Sequence, residues 1–518
     1  MVSLPLPMRR LTDVLMGRYA ALRVAQLDGR SAGATQATTL SRLVRRARGT
    51  RFGVDHDFTR IRTVADYQRR VPLRTYEDFW NDYWRAPFPR IDGVTWPGPI
   101  PYFALSSGTT SGTTKYIPVS RQMLASNQKA ALTALSLFLV AHPRTPLFTG
   151  RLFFLGGSSD LRALPTETGE VSGILAGDLS GITVREASPW LRPFAFPPER
   201  LALVADWDEK LRLLVEAAVA LPITMLSGIP SWLLVLFERL FRHTRRERLA
   251  DIWPGLRLLI HGGTQFEPYR ALFRTMTGEG VHFLETYPAS EGFVAAEDPR
   301  HGLLRLLPDH DLFFEFVPVA ELKSTSATRH TVVDLEVGVP YAVVLTTCAG
   351  LWSYVLGDTV RFERRDPPLL RFTGRTSYFL SAFGEHLIGE EAERAVAEAA
   401  RVVGASVVDF HVGPLFSATV GEPGRHRWFV EFAQTICPAR LAPFAEALDA
   451  ALARVNEDYR AHRLGNLAML PPLVCPVRRG GFAEWMRSRG RLGGQNKVPR
   501  MDNSGAIGEE LKIYFGAG

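Results

Sequence analysis

The fold of this chain is decided by the stretch Leu105-Ser106-Ser107-Gly108-Thr109-Thr110-Ser111-Gly112-Thr113-Thr114-Lys115-Tyr116-Ile117-Pro118. Small hydroxyl residues and glycines fill nine positions before the single lysine, a composition suited to wrapping phosphate oxygens with backbone N–H groups, hydroxyls and one positive charge. The spacing does not fit a Walker A loop, because Lys115 does not directly follow the second glycine. A flexible Ser/Thr/Gly surface loop is the alternative. The apolar Tyr-Ile-Pro-Val that follows Lys115 favours a phosphate-binding loop.

Outward from this loop, short apolar runs alternate with helical stretches. The runs are bounded by Gly, Ser or Pro, as β-strands are. The strand candidates are residues 152–155, 223–226, 256–260 and 341–346, and the helix candidates between them are residues 123–140, 208–220 and 232–242. This alternation predicts an α/β fold.

The two ends of the chain have a different pattern. Amphipathic helices are predicted near the start, at residues 11–27 and 39–47, with apolar positions at helical spacing. Toward the end, the pattern predicts helices at 384–400 and 439–460 and strands at 406–412 and 428–432. We therefore expect a large α/β N-terminal domain over residues 1–377, with β-sheets and packed helices, and a smaller α+β C-terminal domain over 378–518.

The bulk composition excludes several classes of protein. The chain has 518 residues, 46% hydrophobic and 22% charged, which is typical of a multidomain globular protein. The formal charge of +8 is modest, and the arginine clusters lack the interleaved aromatic residues of single-strand binders, so we expect no nucleic-acid partner. No apolar stretch supports a bilayer span, and no membrane partner is expected. The three cysteines, Cys348, Cys437 and Cys475, are widely spaced, which predicts neither a disulfide framework nor a zinc site and fits the cytoplasm.

Four later segments belong with the phosphate loop. They are Thr286-Tyr287-Pro288-Ala289-Ser290-Glu291-Gly292, then Trp352-Ser353-Tyr354-Val355-Leu356-Gly357-Asp358, then Gly374-Arg375 with Phe383-Gly384-Glu385, and finally Gln495-Asn496-Lys497-Val498-Pro499-Arg500. With residues 106–118 they resemble, in order and spacing, the motifs of the acyl-adenylate-forming enzymes. Within that superfamily they resemble most the Gretchen Hagen (auxin-responsive) acyl acid amido synthetases, whose first motif residues 106–118 match throughout.

The resemblance covers roughly residues 100–500 and has three departures inside the motifs. Pro288 and Ala289 interrupt the family's Tyr-x-Ser-Ser-Glu, and Val355 stands where the family's Tyr-Arg-x-Gly-Asp has arginine. Acyl-CoA ligases carry a shorter first motif, with a proline between the second glycine and the lysine. The spacing of residues 106–118 therefore favours the amido synthetases.

The resemblance implies a role for each motif residue. Ser106, Ser107, Thr109 and Lys115 would hold the phosphates of ATP, Tyr287 would lie against the adenine, and Ser290 would lie near the α-phosphate. Glu291 would bind Mg²⁺, Asp358 would accept from the ribose hydroxyls, and Arg375 would help to hold ribose or phosphate. Lys497 would bridge to the carboxylate and phosphate when the small domain rotates over the active site. The alternatives are a strand-end carboxylate for Glu291 and a turn-forming residue for Asp358.

Two further sets of residues are predicted from their places in the pattern. Gly262 and Gly263 follow the strand candidate 256–260, where backbone passes close to an adenine, although the adjacent His261 is equally consistent with a structural role. Met123, Ser126, Asn127 and Met225 are predicted to line the acyl pocket, since such sites are mostly apolar with few polar anchors. A plain core role fits these four residues equally well.

The chain is accordingly predicted to be an AMP-forming ligase. With ATP and Mg²⁺ as cofactors, it would activate a small carboxylic acid as its adenylate and join it to an amine, expected to be an amino acid. The alternatives are an acid–thiol ligase that forms a CoA thioester, and a nucleotide-binding relative without turnover. Six lysines stand among the 61 basic residues, and two of them, Lys115 and Lys497, fall at the motif positions that need a compact ammonium. The sequence does not indicate the oligomeric state.

Overall fold

A computed structural model gives the structure of this chain over most of its length. It describes residues 4–107, 114–156, 161–165, 171–204, 206–263, 266–322, 324, 326–376, 379–380, 382–383, 385, 387–416, 423–456, 459–460, 463, 469–489 and 498–516. The chain divides into two compact units. The first contains Met1–Thr264 and Gly278–Phe372, and the second contains Gln265–Thr277 and Thr373–Gly518.

The first unit contains the helices predicted near the start of the chain and those predicted between the strands. They are α1 (Leu6–Asp28), α2 (Ala32–Ala47), α3 (Arg51–Asp55), α4 (Val64–Arg70), α5 (Tyr76–Phe79), α6 (Arg121–Ala141), α7 (Leu179–Arg185), α8 (Glu199–Ala202), α9 (Trp207–Ala218), α10 (Pro230–Thr244) and α11 (Leu249–Ile252). The helices that bear on the site begin with side-chain caps. Ser120 Oγ accepts from Met123 N at 3.1 Å at the start of α6, and Thr75 and Asp78 form a capping box at α5, which satisfies backbone donors that a helix start leaves unpaired.

The strands of the first unit form two sheets. They are β1 (Tyr102–Ser107), β2 (Thr114–Val119), β3 (Arg151–Phe154), β4 (Arg162–Pro165), β5 (Val171–Gly177), β6 (Ala195–Phe196), β7 (Ile223–Gly228), β8 (Leu258–Gly262), β9 (His282–Ala289), β10 (Gly292–Asp298), β11 (Leu303–Leu306), β12 (Leu312–Pro318), β13 (Pro340–Thr347), β14 (Tyr354–Arg364) and β15 (Leu369–Arg375), the last of which ends in the second unit. The smaller sheet has the order β2-β1-β5-β4.

The larger sheet has the order β12-β13-β14-β15-β11-β10-β9-β8-β7-β3-β6. From β9 to β6 the neighbouring strands are parallel, and the crossovers between them pass through helices, as parallel pairing requires. From β9 to β11, and again from β12 to β14, the neighbours are antiparallel. The predicted α/β class is confirmed, and in the antiparallel half the strand candidate 341–346 lies in β13.

Helix α6 lies in the core of the first unit. It packs against α1 and β10, and its side chains from Ala130 to Leu139 are largely buried. By length and composition it is apolar enough to cross a membrane, but 56% of the apolar window is already buried inside the protein. Its apolar character is therefore accounted for by packing within the unit.

The second unit is an α+β arrangement. Its helices are α12 (Glu267–Thr277), α13 (Gly389–Val402), α14 (Leu441–Val455), α15 (Gly481–Ser488) and α16 (Ala506–Phe515), and its strands are β16 (Phe379–Leu380), β17 (Leu387–Ile388), β18 (Val407–Leu415), β19 (Arg425–Phe432) and β20 (Leu473–Val477). The three-stranded sheet β18-β19-β20 packs with α13 and α14 around Trp428, Phe432 and Phe444.

Two predicted helix bounds in this unit are wrong. The helix predicted over 384–400 begins only at Gly389, because Leu387 and Ile388 pair with Phe379 and Leu380 as strands. The helix predicted over 439–460 ends at Val455, since Asn456 has the extended dihedrals φ −130° and ψ 116°. The predicted boundary after residue 377 and the rotation of residues 378–518 stay predictions.

Candidate active site

The phosphate loop connects two paired strands. β1 and β2 run antiparallel, with Ser106 opposite Lys115 and Ser107 opposite Thr114. Residues opposite each other in such a ladder lie close enough for their side chains to act on one ligand. Thr109 and the rest of 108–113 lie outside the described residues. The register therefore places the loop at the end of a hairpin with Ser106 and Lys115 at its base.

Lys115 lies over an aromatic ring from the helical N-terminal segment. Its Nζ is 5.4 Å from the centroid of the Tyr76 ring, which is within the range of a cation–π interaction. The Tyr76 hydroxyl accepts a hydrogen bond from the backbone N–H of Tyr116 at 2.9 Å. One tyrosine thus contacts both the lysine and the strand that carries it, which holds the ammonium near the loop.

The second and third motifs meet through two crossed hydrogen bonds. The Tyr287 hydroxyl donates to Oδ2 of Asp358 at 2.8 Å, and the Tyr354 hydroxyl donates to Oε1 of Glu291 at 3.2 Å. Each motif contributes a tyrosine and, four residues later, a carboxylate. All four residues are buried. The tyrosine of each motif therefore holds the carboxylate of the other.

The protonation of Tyr354 is fixed by its surroundings. Burial raises the pKa of its hydroxyl well above 10, and the neighbouring Glu291 carboxylate raises this pKa further. Ionising a phenol in an apolar site next to a carboxylate would leave two like charges without water. Tyr354 therefore stays a hydrogen-bond donor at neutral pH and orients Glu291.

Helix α5 connects Lys115 with Glu291. Tyr76, which lies under Lys115, begins this short helix, and Phe79, which ends it, has its ring centroid 6.3 Å from that of Tyr354. Tyr354 in turn donates to Glu291. The positive charge of the phosphate loop and the negative charge of the second motif are thus positioned by one aromatic helix turn.

A buried polar network holds the start of β14, which carries the third motif. Ser353 has a φ of +46°, a left-handed conformation that a non-glycine residue adopts only when its surroundings enforce it. Its Oγ lies 3.1 Å from Oε2 of Glu315 and 3.0 Å from the Tyr67 hydroxyl. Arg329 donates to the same Glu315 oxygen at 2.8 Å. This network fixes the residue immediately before Tyr354.

The glycines at the end of β8 allow the backbones of β8 and β9 to approach closely. Gly262 pairs with Thr286, next to Tyr287, and a Cβ on Gly262 would lie 2.3 Å from the Thr286 carbonyl oxygen. Gly263 has a φ of +78°, which is strained for other residues. The two glycines therefore bring backbone close to Tyr287, where the adenine is predicted to lie.

Of the four residues predicted for the acyl pocket, three lie near the start of α6 and Met225 lies on β7. Met123 is buried in the largest core cluster, and Met225 is buried in another cluster with Phe138 and Leu258. Ser126 Oγ donates to the carbonyl oxygen of His310. Asn127 is half-buried, and its Oδ1 has no hydrogen-bond partner within the described part of the chain. Their role in binding an acyl group stays a prediction.

Three predicted residues cannot be joined to this site. Arg375 is the last residue of β15 and belongs to the second unit. Lys497 and Thr109 lie outside the described residues. Ser290, by contrast, lies buried in the turn between β9 and β10, directly before Glu291. The roles assigned to all of these residues stay predictions.

The carboxylate of Glu291 fits a magnesium ion bound jointly with phosphates. Among the described residues, no group of three or more His, Cys, Asp or Glu side chains is placed to hold a metal by itself. Mg²⁺ needs no such cage, because it is commonly held by one or two carboxylates together with substrate phosphates and water. Glu291 provides such a ligand, because it is a buried carboxylate that accepts a hydrogen bond from the neutral Tyr354.

Two residues of the site were missed in the sequence. Tyr354 opens the third motif, and its signal was the spacing: Tyr354 and Asp358 repeat the four-residue interval of Tyr287 and Glu291. Tyr76 lies 39 positions before Lys115, in a segment read only as amphipathic helix. Nothing in the local pattern distinguishes Tyr76 from the other aromatic residues of that segment.

Models of one family match three parts of the chain. The N-terminal domain of the GH3 family matches residues 22–220, its central domain matches 305–375, and its C-terminal domain matches 390–506. Together these matches extend over about three-quarters of the chain and over all of the motifs described above except residues 286–292 and 383–385.

Curated relatives include two rice proteins whose names carry the same family label. The chain is 30% identical over 278 residues to jasmonoyl–L-amino acid synthetase GH3.5 of Oryza sativa subsp. japonica, covering 49% of this chain and 47% of the relative. It is 32% identical over 220 residues to indole-3-acetic acid-amido synthetase GH3.8 of Oryza sativa subsp. indica, covering 39% and 35%. With jasmonoyl–L-amino acid synthetase JAR4 of Nicotiana attenuata it is 22% identical, covering 91% of each. The alignments with the two rice relatives thus span less than half of their length.

Solved structures share the fold. The GH3.15 acyl acid amido synthetase superposes with a TM-score of 0.78 at 19% identity, covering 97% of this chain and 96% of that one. The complex of AtGH3.15 acyl acid amido synthetase with 2,4-DB gives a TM-score of 0.73 at 18% identity, covering 99% and 97%. At these identities the similarity establishes the fold alone.

Proposed function

This chain belongs to the GH3 family, and from that premise we propose that it is an ATP-dependent acyl acid amido synthetase. It activates a carboxylic acid as the acyl adenylate, releasing pyrophosphate, and then transfers the acyl group to an amine, releasing AMP. The amine is an amino acid, in keeping with the names of the curated relatives.

The observation that carries the proposal is the crossed pair of hydrogen bonds, Tyr287 to Asp358 and Tyr354 to Glu291. It joins two buried carboxylates, Asp358 of the third motif and Glu291 of the second, each to the tyrosine of the other motif. In this arrangement Asp358 is the proposed acceptor for the ribose hydroxyls and Glu291 is the proposed ligand for a cation, since carboxylate oxygens can do either. Both are requirements of a site that holds a nucleotide together with its metal.

In the first half-reaction the oxygen of the acid attacks the α-phosphorus of ATP, and the bond to pyrophosphate breaks. Lys115 offsets the charge that develops on the leaving pyrophosphate, and Ser106 donates to phosphate oxygens from the opposite strand. Mg²⁺, when bound, neutralises phosphate charge as a Lewis acid. Glu291, held in orientation by Tyr354, is the carboxylate that receives it.

In the second half-reaction the amine nitrogen attacks the acyl carbon, and the bond between the acyl group and AMP breaks. The amine loses a proton as the amide forms. Lys497 belongs to the first half-reaction in this scheme, and rotation of the C-terminal part of the chain separates the two steps. Mg²⁺, ATP, the acid and the amino acid are the proposed partners, and the cytoplasm is the proposed location.

Acid-dependent exchange of labelled pyrophosphate into ATP tests the proposal. The panel contains aromatic, fatty and amino acids, and the best acid is then offered amino acids or CoA with AMP release and product measured. Exchange followed by an amide product supports the proposal. A CoA thioester formed without amine contradicts the amide step, and tight ATP binding without exchange for any acid contradicts the enzyme.

A further inference from the structure

Helix α1 presents its apolar side chains to the outside of the first unit. Seven of its large hydrophobic residues are at least 39% exposed, against nine in all other described parts of the chain. Leu11, Leu15 and Leu22 are 54–74% exposed and recur at the spacing of one helical face. An amphipathic helix normally turns its apolar face toward the core, and a contiguous apolar face on the outside marks a surface that binds a partner.

The orientation of α1 is fixed from its buried face. Arg23 donates to both carboxylate oxygens of Asp309, at 2.8 and 2.7 Å, and its Nε donates to Oγ1 of Thr133 at 2.9 Å. Near the start of the helix, Arg9 donates to the carbonyl oxygen of Gly150 at 2.7 Å. Both arginines are buried, and a buried charge that loses its partners is strongly disfavoured. The outward position of the leucines is therefore built into the fold.

The exposed charges along α1 are positive. Arg10 and Arg18 are exposed. The one acidic residue among residues 6–26, Asp13, is half-buried and accepts hydrogen bonds from two backbone N–H groups of the chain after α6, at 2.8 and 2.9 Å. Two copies of this face would bring four arginines together without an acidic partner, and like charges disfavour such a contact. An anionic apolar partner complements both the leucines and the charge.

Trp190 adds an exposed aromatic ring beside α1. Its ring centroid lies 6.2 Å from that of Phe148, whose backbone N–H donates to Asp13 of α1. Trp190 is 41% exposed, and Arg192, two positions later, is exposed as well. A tryptophan combines an apolar body with an N–H donor, and it is enriched where acyl chains meet lipid headgroups. The chain next to α1 thus repeats the combination of apolar and cationic side chains.

We propose that α1 binds an anionic lipid surface, with its axis in the plane of the membrane. Leu11, Leu15 and Leu22 enter the boundary between headgroups and acyl chains, while Arg10 and Arg18 extend to the lipid phosphates. The expectation of no membrane partner rests on the lack of a spanning stretch, and a helix that lies on a membrane needs none. This contact is separate from the acyl-transfer chemistry proposed above and does not depend on it.

Vesicle flotation with the full chain tests this contact. One set of vesicles is an equimolar mixture of phosphatidylglycerol and phosphatidylcholine, and the other is phosphatidylcholine alone. We expect the partition coefficient to be at least about tenfold higher on the mixed vesicles, because each arginine near an anionic surface strengthens binding by about fivefold. High salt should remove this difference, since it screens exposed charges.

Two combined variants separate the apolar and the charged contributions. Leu11→Gln, Leu15→Gln and Leu22→Gln together should lower the partition coefficient on mixed vesicles by about 100-fold or more, because about half of each leucine leaves the apolar boundary. Arg10→Gln with Arg18→Gln should lower it by about 10- to 30-fold and leave binding to phosphatidylcholine unchanged. Glutamine keeps the helix propensity of leucine and arginine, and unchanged urea unfolding verifies that both variants are folded.

Val402→Gln with Ile513→Gln is the matched control. These residues are 57% and 81% exposed on helices α13 and α16 of the second unit, and their loss should leave vesicle binding unchanged. Wild-type binding in the leucine variant, or equal binding to both kinds of vesicle, would overturn the proposal. The absence of binding to either kind would overturn it too. A dimer in sedimentation velocity that the leucine variant loses, without vesicle binding, would assign the face to a second copy instead.

Discussion

The hydroxyl of Tyr354 lies 3.2 Å from Oε1 of Glu291 and donates to it. Both side chains are buried, and the hydroxyl stays protonated because burial and the carboxylate raise its pKa. A cation ligand oriented by a neutral donor keeps its full negative charge while its rotation is restricted. The third motif thus orients Glu291, the proposed metal ligand in the second motif.

Tyr354→Phe should raise the Mg²⁺ concentration needed for half-maximal pyrophosphate exchange. The phenylalanine keeps the ring in place but removes the donor, and loss of a partner that orients a metal ligand costs about 10-fold or more in metal affinity. Titration of Mg²⁺ at saturating ATP and acid measures the change.

The matched control for this prediction is Tyr341→Phe. Tyr341 is equally buried, on the strand next to β14, and its hydroxyl accepts from the N–H of Glu336 at 2.8 Å. Tyr341→Phe should lower the stability of the protein without changing the Mg²⁺ concentration needed for half-maximal exchange. An equal shift in both variants would show that the effect at Tyr354 is not specific to Glu291.

Lys115→Ala should reduce pyrophosphate exchange by at least about 10²-fold, the usual cost of removing a group that stabilises developing charge. Lys115→Arg should restore little, because a planar guanidinium does not replace a compact ammonium at the phosphates, although it can stack on the Tyr76 ring. Lys512→Ala, at an exposed position of α16, is the control and should exchange as the wild-type does. Full activity in Lys115→Arg would refute the requirement for an ammonium.

Gly262→Ala should destabilise the first unit and weaken ATP binding together. The added Cβ would lie 2.3 Å from the Thr286 carbonyl oxygen, and relief of such overpacking costs about 1–3 kcal/mol. Gly17→Ala provides the contrast, because a Cβ there meets nothing within 4 Å in helix α1 and should stabilise by about 0.5–1 kcal/mol. Urea unfolding and ATP titration measure both variants, and unchanged ATP affinity in Gly262→Ala would separate the glycine from the nucleotide site.

Glu431 should make the stability of the second unit depend on pH. Burial raises the pKa of its carboxyl to about 7, although the N–H groups of Gly480 and Phe482 donate to it. An acid whose pKa is higher when folded contributes stability below its unfolded pKa, near 4.5, and loses it as pH rises through about 7. Over that window the loss amounts to about 3 kcal/mol.

The measurement compares the wild-type with Glu431→Gln in urea unfolding at pH 5 and pH 8. The wild-type should lose stability relative to the variant as pH rises. His411, in the same unit, acts in the opposite direction, because burial lowers its pKa to about 4 and the buried neutral ring resists protonation in acid. The difference between the two proteins removes this contribution, and a difference independent of pH would contradict the raised pKa.

Much of the fold could be predicted because local pattern and tertiary packing agree in its parallel half. The apolar run at 223–226 lies in β7 and the run at 256–260 overlaps β8, where strands buried on both faces read as continuous hydrophobic segments. The antiparallel half could not be predicted in the same way. There β14 continues through Gly357, Asp358 and Thr359, residues that on their own indicate a turn.

The site could be inferred only where a motif encodes chemistry directly, as at Lys115 and Glu291, whose roles stay predictions. It was missed where contacts come from residues distant in sequence. Tyr76 reaches Lys115 only because α5 packs beside β2. Arg500 likewise pairs with Glu393, which lies 107 positions earlier in the chain. Periodicity and spacing describe neighbours along the chain, whereas these contacts are created by packing.

The chain passes between its two units after Thr264, after Thr277 and after Phe372, so the second unit is built from two separate pieces of sequence. Helix α12, the smaller piece, packs against α13 and β18 of the larger one. A chimera that exchanged residues 373–518 with those of another family member would therefore mate a foreign α13 with the native α12. Exchange of this unit between relatives has to carry residues 265–277 along, and evolution by simple domain shuffling meets the same obstacle.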